Sequence, residues 1–175
     1  MKYFVAIGLA LVPVGAHSEV VHSSPNGFEV RETVTLVVPT DRAFDGIRHI
    51  PAWWNPEHTY SNDAANLSLA LVPGGCFCER IPKTGGGIEH MRVTYVEPGK
   101  RVVLTGALGP LLYEAVTGII DLQVTRIAGG SQVTLDYRAA GFANGGADKL
   151  AGPVDGVLAD QMRRYRAFVT SHHAE

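Results

Sequence analysis

The sequence predicts an α+β domain in which a curved antiparallel sheet closes around one long C-terminal helix, and three observations carry that prediction. From Ala147 to Val169 the apolar residues Leu150, Val154, Val157, Leu158, Met162, Tyr165 and Phe168 recur at three- and four-residue steps, as one face of a helix requires. The opposite face carries Lys149, Asp155, Asp160, Arg163 and Arg166, with Asp148 in the first turn and the arginines late, where each sign complements the helix dipole. That face is expected to be wet. Nearly everything between Phe28 and Tyr137 reads as strand and turn. A sheet gripping a helix can enclose a cavity, so the chain is expected to be a container.

The elements follow in order. Phe28, Val30, Val34, Leu36 and Val38 alternate with Glu29, Arg31, Thr33 and Thr35, a half-buried strand over 28–38. Glu32 interrupts its apolar face, where an unpaired carboxylate is costly, so it is paired, at a wet strand end, or aimed into a polar part of a cavity. Pro39 stops the strand, and Thr40 or Asp41 caps a short helix through Ile47 with Ala43, Phe44 and Ile47 as its buried stripe. Ile50–Trp54 continues into an aromatic and polar run over 53–60. Adjacent tryptophans do not share a helix face, so one of Trp53 and Trp54 is expected to plug the core while the other lines a mouth or packs on the loop. Further strands are expected over 66–72, 76–81, 88–96, 101–108, 116–127 and 132–140, separated by Gly- and Pro-bearing turns. Residues 109–113 read either as a turn with an apolar tip or as the start of a long strand. A glycine-rich link over 141–146 leads into the helix, where Pro153 either bends it or marks a later first turn.

With 175 residues, 46% hydrophobic and 18% charged, the chain supplies one domain with a sizeable core. The formal charge is −2 and no basic stripe is present, so nucleic acid is not an expected partner. Met1-Lys2, the apolar run 3–14 and the small residues Ala16 and Ser18 read as a secretory signal. Cleavage after Ser18 removes one lysine and no acid, taking the charge from −2 to −3. The competing reading is an uncleaved anchor, although the run falls short of the ~20 residues of a comfortable membrane span. The expected organisation is a signal over 1–18, a leader over 19–27, one domain over 28–170 and a tail over 171–175, working in the periplasm or outside the cell.

Several groups are candidates for chemistry or ligand contact. Cys76 and Cys78 point to the same strand face, but such neighbours sit ~6.6 Å apart with parallel side chains, so two interior thiols are expected rather than a bridge. Small buried hydrophobes, a metal site completed by His58 and His90, and thiol chemistry are the three readings of the pair. On the strand over 88–96, Met91, Val93 and Tyr95 form the inward set with Glu89 beside them, while His90 and Arg92 face the other way. Glu89 is then either a cavity base or paired to an arginine. His58 and Tyr60 follow the tryptophans and are placed to orient a polar group at a mouth. The expected ligand-contacting set is Trp53, Trp54, His58, Tyr60, Cys76, Cys78, Glu89, Met91, Tyr95, Val154 and Leu158, with no metal and no cofactor.

The stretches 53–61 (WWNPEHTYS), 63–69 (DAANLSL), 73–79 (PGGCFCE), 89–93 (EHMRV) and 95–100 (YVEPGK) resemble the helix-grip SRPBCC or START-like superfamily. Within it they look like the secreted bacterial branch related to the activator of the heat-shock-protein-90 ATPase, over about Phe28 to Phe168. The resemblance implies a deep apolar cavity between sheet and helix, and relatives that include lipid carriers, polyketide cyclases and a co-chaperone. It supplies no catalytic motif, and a signal segment argues against a cytosolic co-chaperone role. Three functions are therefore expected in turn: a binder of a small apolar or amphipathic molecule, oriented by polar groups among Glu32, His58, Tyr60, Glu89 and Tyr95; a cyclase- or hydratase-like enzyme using a cavity acid or His58; and an envelope protein-interaction module that docks through the 53–60 aromatics.

Overall fold

The computed structural model describes residues 15–171. Eight strands form one antiparallel sheet: β1 (Ala16–Ser24), β2 (Gly27–Leu36), β3 (Leu67–Leu69), β4 (Cys76–Ile81), β5 (Gly86–Glu97), β6 (Arg101–Gly106), β7 (Ala115–Ile127) and β8 (Gly130–Phe142). Their spatial order is β1-β2-β8-β7-β6-β5-β4-β3. Helices α1 (Thr40–Arg48) and α2 (Ile50–Trp53) follow β2, and the long α3 (Asp148–Ser171) ends the described chain. This is the helix-grip arrangement, with α3 lying over β1 and β2 and against α1 and α2.

Local sequence explains the elements. On β2 the alternation buries Phe28, Val30, Val34 and Leu36, and Glu32 with them. α1 buries Ala43, Phe44 and Ile47 as expected, and Gly46 with them, but its N-cap is Pro39 and no side chain caps it, so neither Thr40 nor Asp41 has the capping role read from the sequence. Tyr165 donates its hydroxyl proton to the Ala43 carbonyl, and Trp53 packs edge-on against Tyr165 at 5.4 Å between ring centroids. These contacts fix α1 and α2 onto the C-terminal half of α3, where Met162, Tyr165 and Val169 are buried.

Ala16–Ser24, within the stretch read as signal end and leader, forms the edge strand β1 and pairs with β2, with a bulge between Val20 and His22. Its side chains are mostly exposed on both faces, so it lacks the alternation that announces a half-buried strand. The remainder of the signal segment and the tail histidines lie outside the described residues. The strand over 66–72 shrinks to Leu67–Leu69, because the chain turns back at Ala70–Gly75 through the Val72 N–H to Ala70 and Gly75 N–H to Val72 bonds. Residues Gly109–Tyr113 form a 3-10 turn, the first of the two readings. Pro153 stands inside α3 and not in its first turn. Asp155, assigned to the wet face, instead has a buried Oδ1 and is the charged neighbour of Glu32.

Candidate functional site

The apolar stripe of α3 has two environments. Its C-terminal half is packed, whereas Leu150, Pro153, Val154, Val157 and Leu158 line a cavity of about 390 Å³. The sheet supplies Phe77 and His90 from β4 and β5 and Tyr137 from β8; Leu108 to Leu111 and the 57–60 loop close the sides. The walls are overwhelmingly apolar or aromatic, no Lys or Arg lines them, and the volume falls in the range of small-molecule sites.

The mouth loop is held by a chain of hydrogen bonds to α3. The Asn55 backbone N–H donates to Gln161 Oε1 at 2.8 Å, and the Asn55 side-chain amide donates to Asp160 at 2.8 Å. Because Gln161 Oε1 already accepts, its Nε2 is the donor to His58 Nδ1 at 2.8 Å, which leaves a neutral His58 with its proton on Nε2. Trp54 donates Nε1–H to the His58 carbonyl, and the Tyr60 hydroxyl donates to the Gly109 carbonyl at 2.9 Å, tying the loop to the 3-10 turn. Burial pushes the Tyr60 phenol up.

Deeper in, Glu79 and His90 form a buried dyad at 3.0 Å. Glu79 also accepts from the backbone N–H groups of Tyr60 and Ser61, at 3.1 and 2.6 Å. Burial raises the Glu79 carboxyl, but the donors from Ser61, Tyr60 and His90 outweigh it and hold the group below its ordinary range, so it is a carboxylate. Burial pushes His90 down despite the hydrogen bond and charge of Glu79, so the imidazole is neutral at neutral pH. Its ring lies between Tyr60 and Phe77, at 5.9 and 5.0 Å between centroids. His90 Nδ1 is buried without a hydrogen-bond partner among the described residues.

His90 faces the cavity because of a β-bulge. Phe77 pairs with Met91 and Cys78 with Glu89, so His90 is the extra residue on β5, and both His90 and Met91 are buried. The close approach requires Gly106 on β6: a Cβ there would stand 2.6 Å from the His90 carbonyl oxygen and 2.8 Å from Met91 Cα. Gly118 on β7 similarly leaves room for the Tyr137 ring.

Of the expected contact set, Trp54, His58, Tyr60, Val154 and Leu158 come together on the cavity wall. Trp53 is a core residue with its Nε1–H on the Gly46 carbonyl at 3.1 Å. Since Trp53 and Trp54 are only 7% and 8% exposed, neither is a docking anchor at the surface. Met91 is buried but does not line the cavity. Glu89 is exposed and paired with Arg92. Tyr95 is 46% exposed and lies against Arg101, because a second bulge between Val93 and Tyr95 reverses the strand's facing.

Cys76 and Cys78 are joined in a disulfide, not two thiols, and they sit on the face of β4 opposite Phe77. Their Cα atoms are 5.3 Å apart, nearer than in a flat strand and well inside the bridging range. Sequence reasoning missed Glu79, Phe77 and Tyr137, and it turned His90 away from the cavity that the residue lines. The one sequence signal for the bulge is Gly106, an isolated glycine in a β-rich run.

The fold is shared with solved structures of low sequence identity. Protein MLL2253 from Mesorhizobium loti aligns with TM-score 0.58 at 13% identity, over 84% of this chain and 99% of its own. CalU16 from Micromonospora echinospora aligns with TM-score 0.58 at 10% identity, over 90% of this chain and 88% of its own. DynU16, a protein of the dynemicin biosynthetic locus, aligns with TM-score 0.57 at 18% identity, over 81% of this chain and 46% of its own. No protein-family model and no curated protein matches the chain.

Proposed function

We propose that this protein holds a small apolar or amphipathic molecule between its sheet and α3, outside the cytosol. The observation that carries the reading is the cavity: about 390 Å³ walled by Trp54, Phe77, Leu108, Tyr137 and Leu158, and reached beside the clamped 55–60 loop. Burial of an apolar ligand there supplies affinity, and the few polar groups set its orientation. Two features support the location. The N-terminal residues have the composition of a secretory signal, and the Cys76–Cys78 bridge belongs to an oxidising compartment. The segments quoted above support placing the chain in the secreted branch related to the heat-shock-protein-90 ATPase activator. Among the described residues no helix is long and apolar enough to cross a membrane. The enzymatic reading through Glu89 has no footing, since that carboxylate is outside the cavity and paired.

Native mass spectrometry of protein purified from its secretory compartment without detergent tests the reading. The expected result is an adduct that is lost on organic denaturation. A bare protein mass, together with no fluorescence rise from the apolar probe N-phenyl-1-naphthylamine, would overturn it.

A further inference from the structure

The dyad behind the cavity wall specifies more than apolarity. Glu79 is a carboxylate that already receives two backbone N–H groups, so it has only acceptor capacity to offer His90. The 3.0 Å contact therefore carries the proton on His90 Nε2, and the neutral ring presents a lone pair at Nδ1. That atom is buried and without a partner among the described residues; other atoms of the ring line the cavity, and a donor reaches Nδ1 only as the Tyr60 or Phe77 ring beside it shifts. A buried acceptor in that condition is rare in folded proteins and calls for a donor from outside the chain. The wall offers no Lys or Arg to an anion, and Glu57 at the mouth disfavours one further. Glu79 is saturated and offers nothing to a ligand ammonium deep in the cavity; the one other lining carboxylate, Glu57, stands at the mouth and not beside His90 Nδ1.

We infer that His90, its tautomer fixed by Glu79, is the polar anchor of the cavity and receives the hydroxyl proton of a neutral, largely apolar alcohol or phenol in a hydrogen bond. This rests on the ligand-holding reading above and adds the chemical group that the ligand must bear. His58 has the complementary polarity: its Nδ1 is occupied by Gln161, and its Nε2–H is left as a donor at the mouth. Both histidines carry the proton on Nε2, but opposite ends of the two rings are spoken for by the protein.

The test uses the full chain and two probes that share one ring system, 2-naphthol and 2-methoxynaphthalene, titrated at neutral pH, with N-phenyl-1-naphthylamine as an apolar control. The expected result is naphthol binding about tenfold tighter than its methyl ether, with that preference abolished in His90→Phe while the control probe binds both proteins equally. Equal affinity for naphthol and the ether in the wild type, or a preference that survives in His90→Phe, overturns the inference. Control-probe binding alongside such a result leaves the ligand-holding reading standing; loss of the control probe as well removes both. Long-range proton–nitrogen NMR of the imidazoles gives a second, variant-free reading. His90 must show the Nε2–H tautomer, and the Nδ1–H form overturns the inference even if His90→Phe fails to fold.

Discussion

Glu32→Gln is expected to remove a pH-dependent weakness built into the contact between β2 and α3. Glu32 is 2% exposed on the inward face of β2, and its Oε1 has no partner among the described residues. Burial, and then the Asp155 charge, push its carboxyl up from 4.5 to about 8, against a smaller opposing effect of the Ser18 hydroxyl. A raised folded-state pKa means that the folded protein binds more protons than the unfolded chain between those limits. The contribution to stability is thus complete below about 4.5 and is lost as pH rises towards 8. Over that whole interval the loss is roughly 5 kcal/mol, and between pH 6.5 and 8.5 it is roughly 2 kcal/mol, or about 5 °C in Tm. The upper window is the diagnostic one. Glu79 has a lowered folded-state value and opposes Glu32 only at lower pH, and His90, lowered from 6.5, opposes it by no more than about 0.4 kcal/mol above pH 6.5. Glutamine keeps the shape and supplies an N–H where the protonated acid supplies an O–H to Asp155. Urea unfolding followed by tryptophan fluorescence at pH 6.5 and 8.5 is the assay. The wild type should weaken across the window while the variant stays level and exceeds it at pH 8.5. A wild-type curve flat between these values, or a variant with the same slope, refutes the reasoning.

Gly106→Ala should destabilise the fold by about 1–3 kcal/mol in urea unfolding, because the new Cβ meets the His90 carbonyl and Met91 Cα and forces β5 away. Stability within 0.5 kcal/mol of the wild type, on the order of an ordinary surface substitution, would show that the bulge does not depend on that glycine. The bridge between Cys76 and Cys78 closes a loop of very few residues, so the Cys76→Ser, Cys78→Ser double variant should lose no more than about 2 kcal/mol and keep its probe binding, since both residues face away from the cavity. Loss of binding in that folded variant would put the pair in the site after all.

The parts of the fold legible in the sequence are those in which one periodicity runs unbroken. Val30, Val34 and Leu36 on β2, and Leu158, Met162 and Tyr165 on α3, were readable because each faces a single layer. β4 was readable to the residue, since Pro and Gly punctuate both ends. The site was legible where helix and loop composition mark it, at Trp54, His58, Tyr60, Val154 and Leu158. It was hidden on β5, where two bulges each add one residue and reverse the facing of all that follows. A strict alternation sends Glu89 and Tyr95 inward and His90 outward, and the structure has the reverse. Glu79 escaped for a different reason: its value lies in accepting two backbone N–H groups from a loop 18 and 19 residues earlier, which no local pattern reveals. β1 escaped because an edge strand exposed on both faces carries no core signal.

α3 thus joins a fixed half to a half that borders the cavity. From Gln161 onwards it is held by the Tyr165 hydroxyl on Ala43, by the Trp53 ring, and by Gly46, whose missing Cβ admits the Val169 side chain. From Leu150 to Leu158 it has the cavity on one side and the Glu32–Asp155 carboxyls on the other, with Gly152, Pro153 and Gly156 in its turns. Pro153 removes one helical hydrogen bond, and the two glycines lower the helix propensity of the same segment by about 1 kcal/mol each. Local opening is governed by how much apolar contact a segment would lose, so the N-terminal half should open at lower free energy than the rest. Native-state hydrogen exchange should therefore show the 154–158 amides exchanging at least tenfold faster than those of 161–169, and an occupied cavity should slow the former without changing the latter. Uniform protection along α3 would mean that the helix opens as one body, and that a ligand reaches the cavity by movement of the 55–60 loop instead.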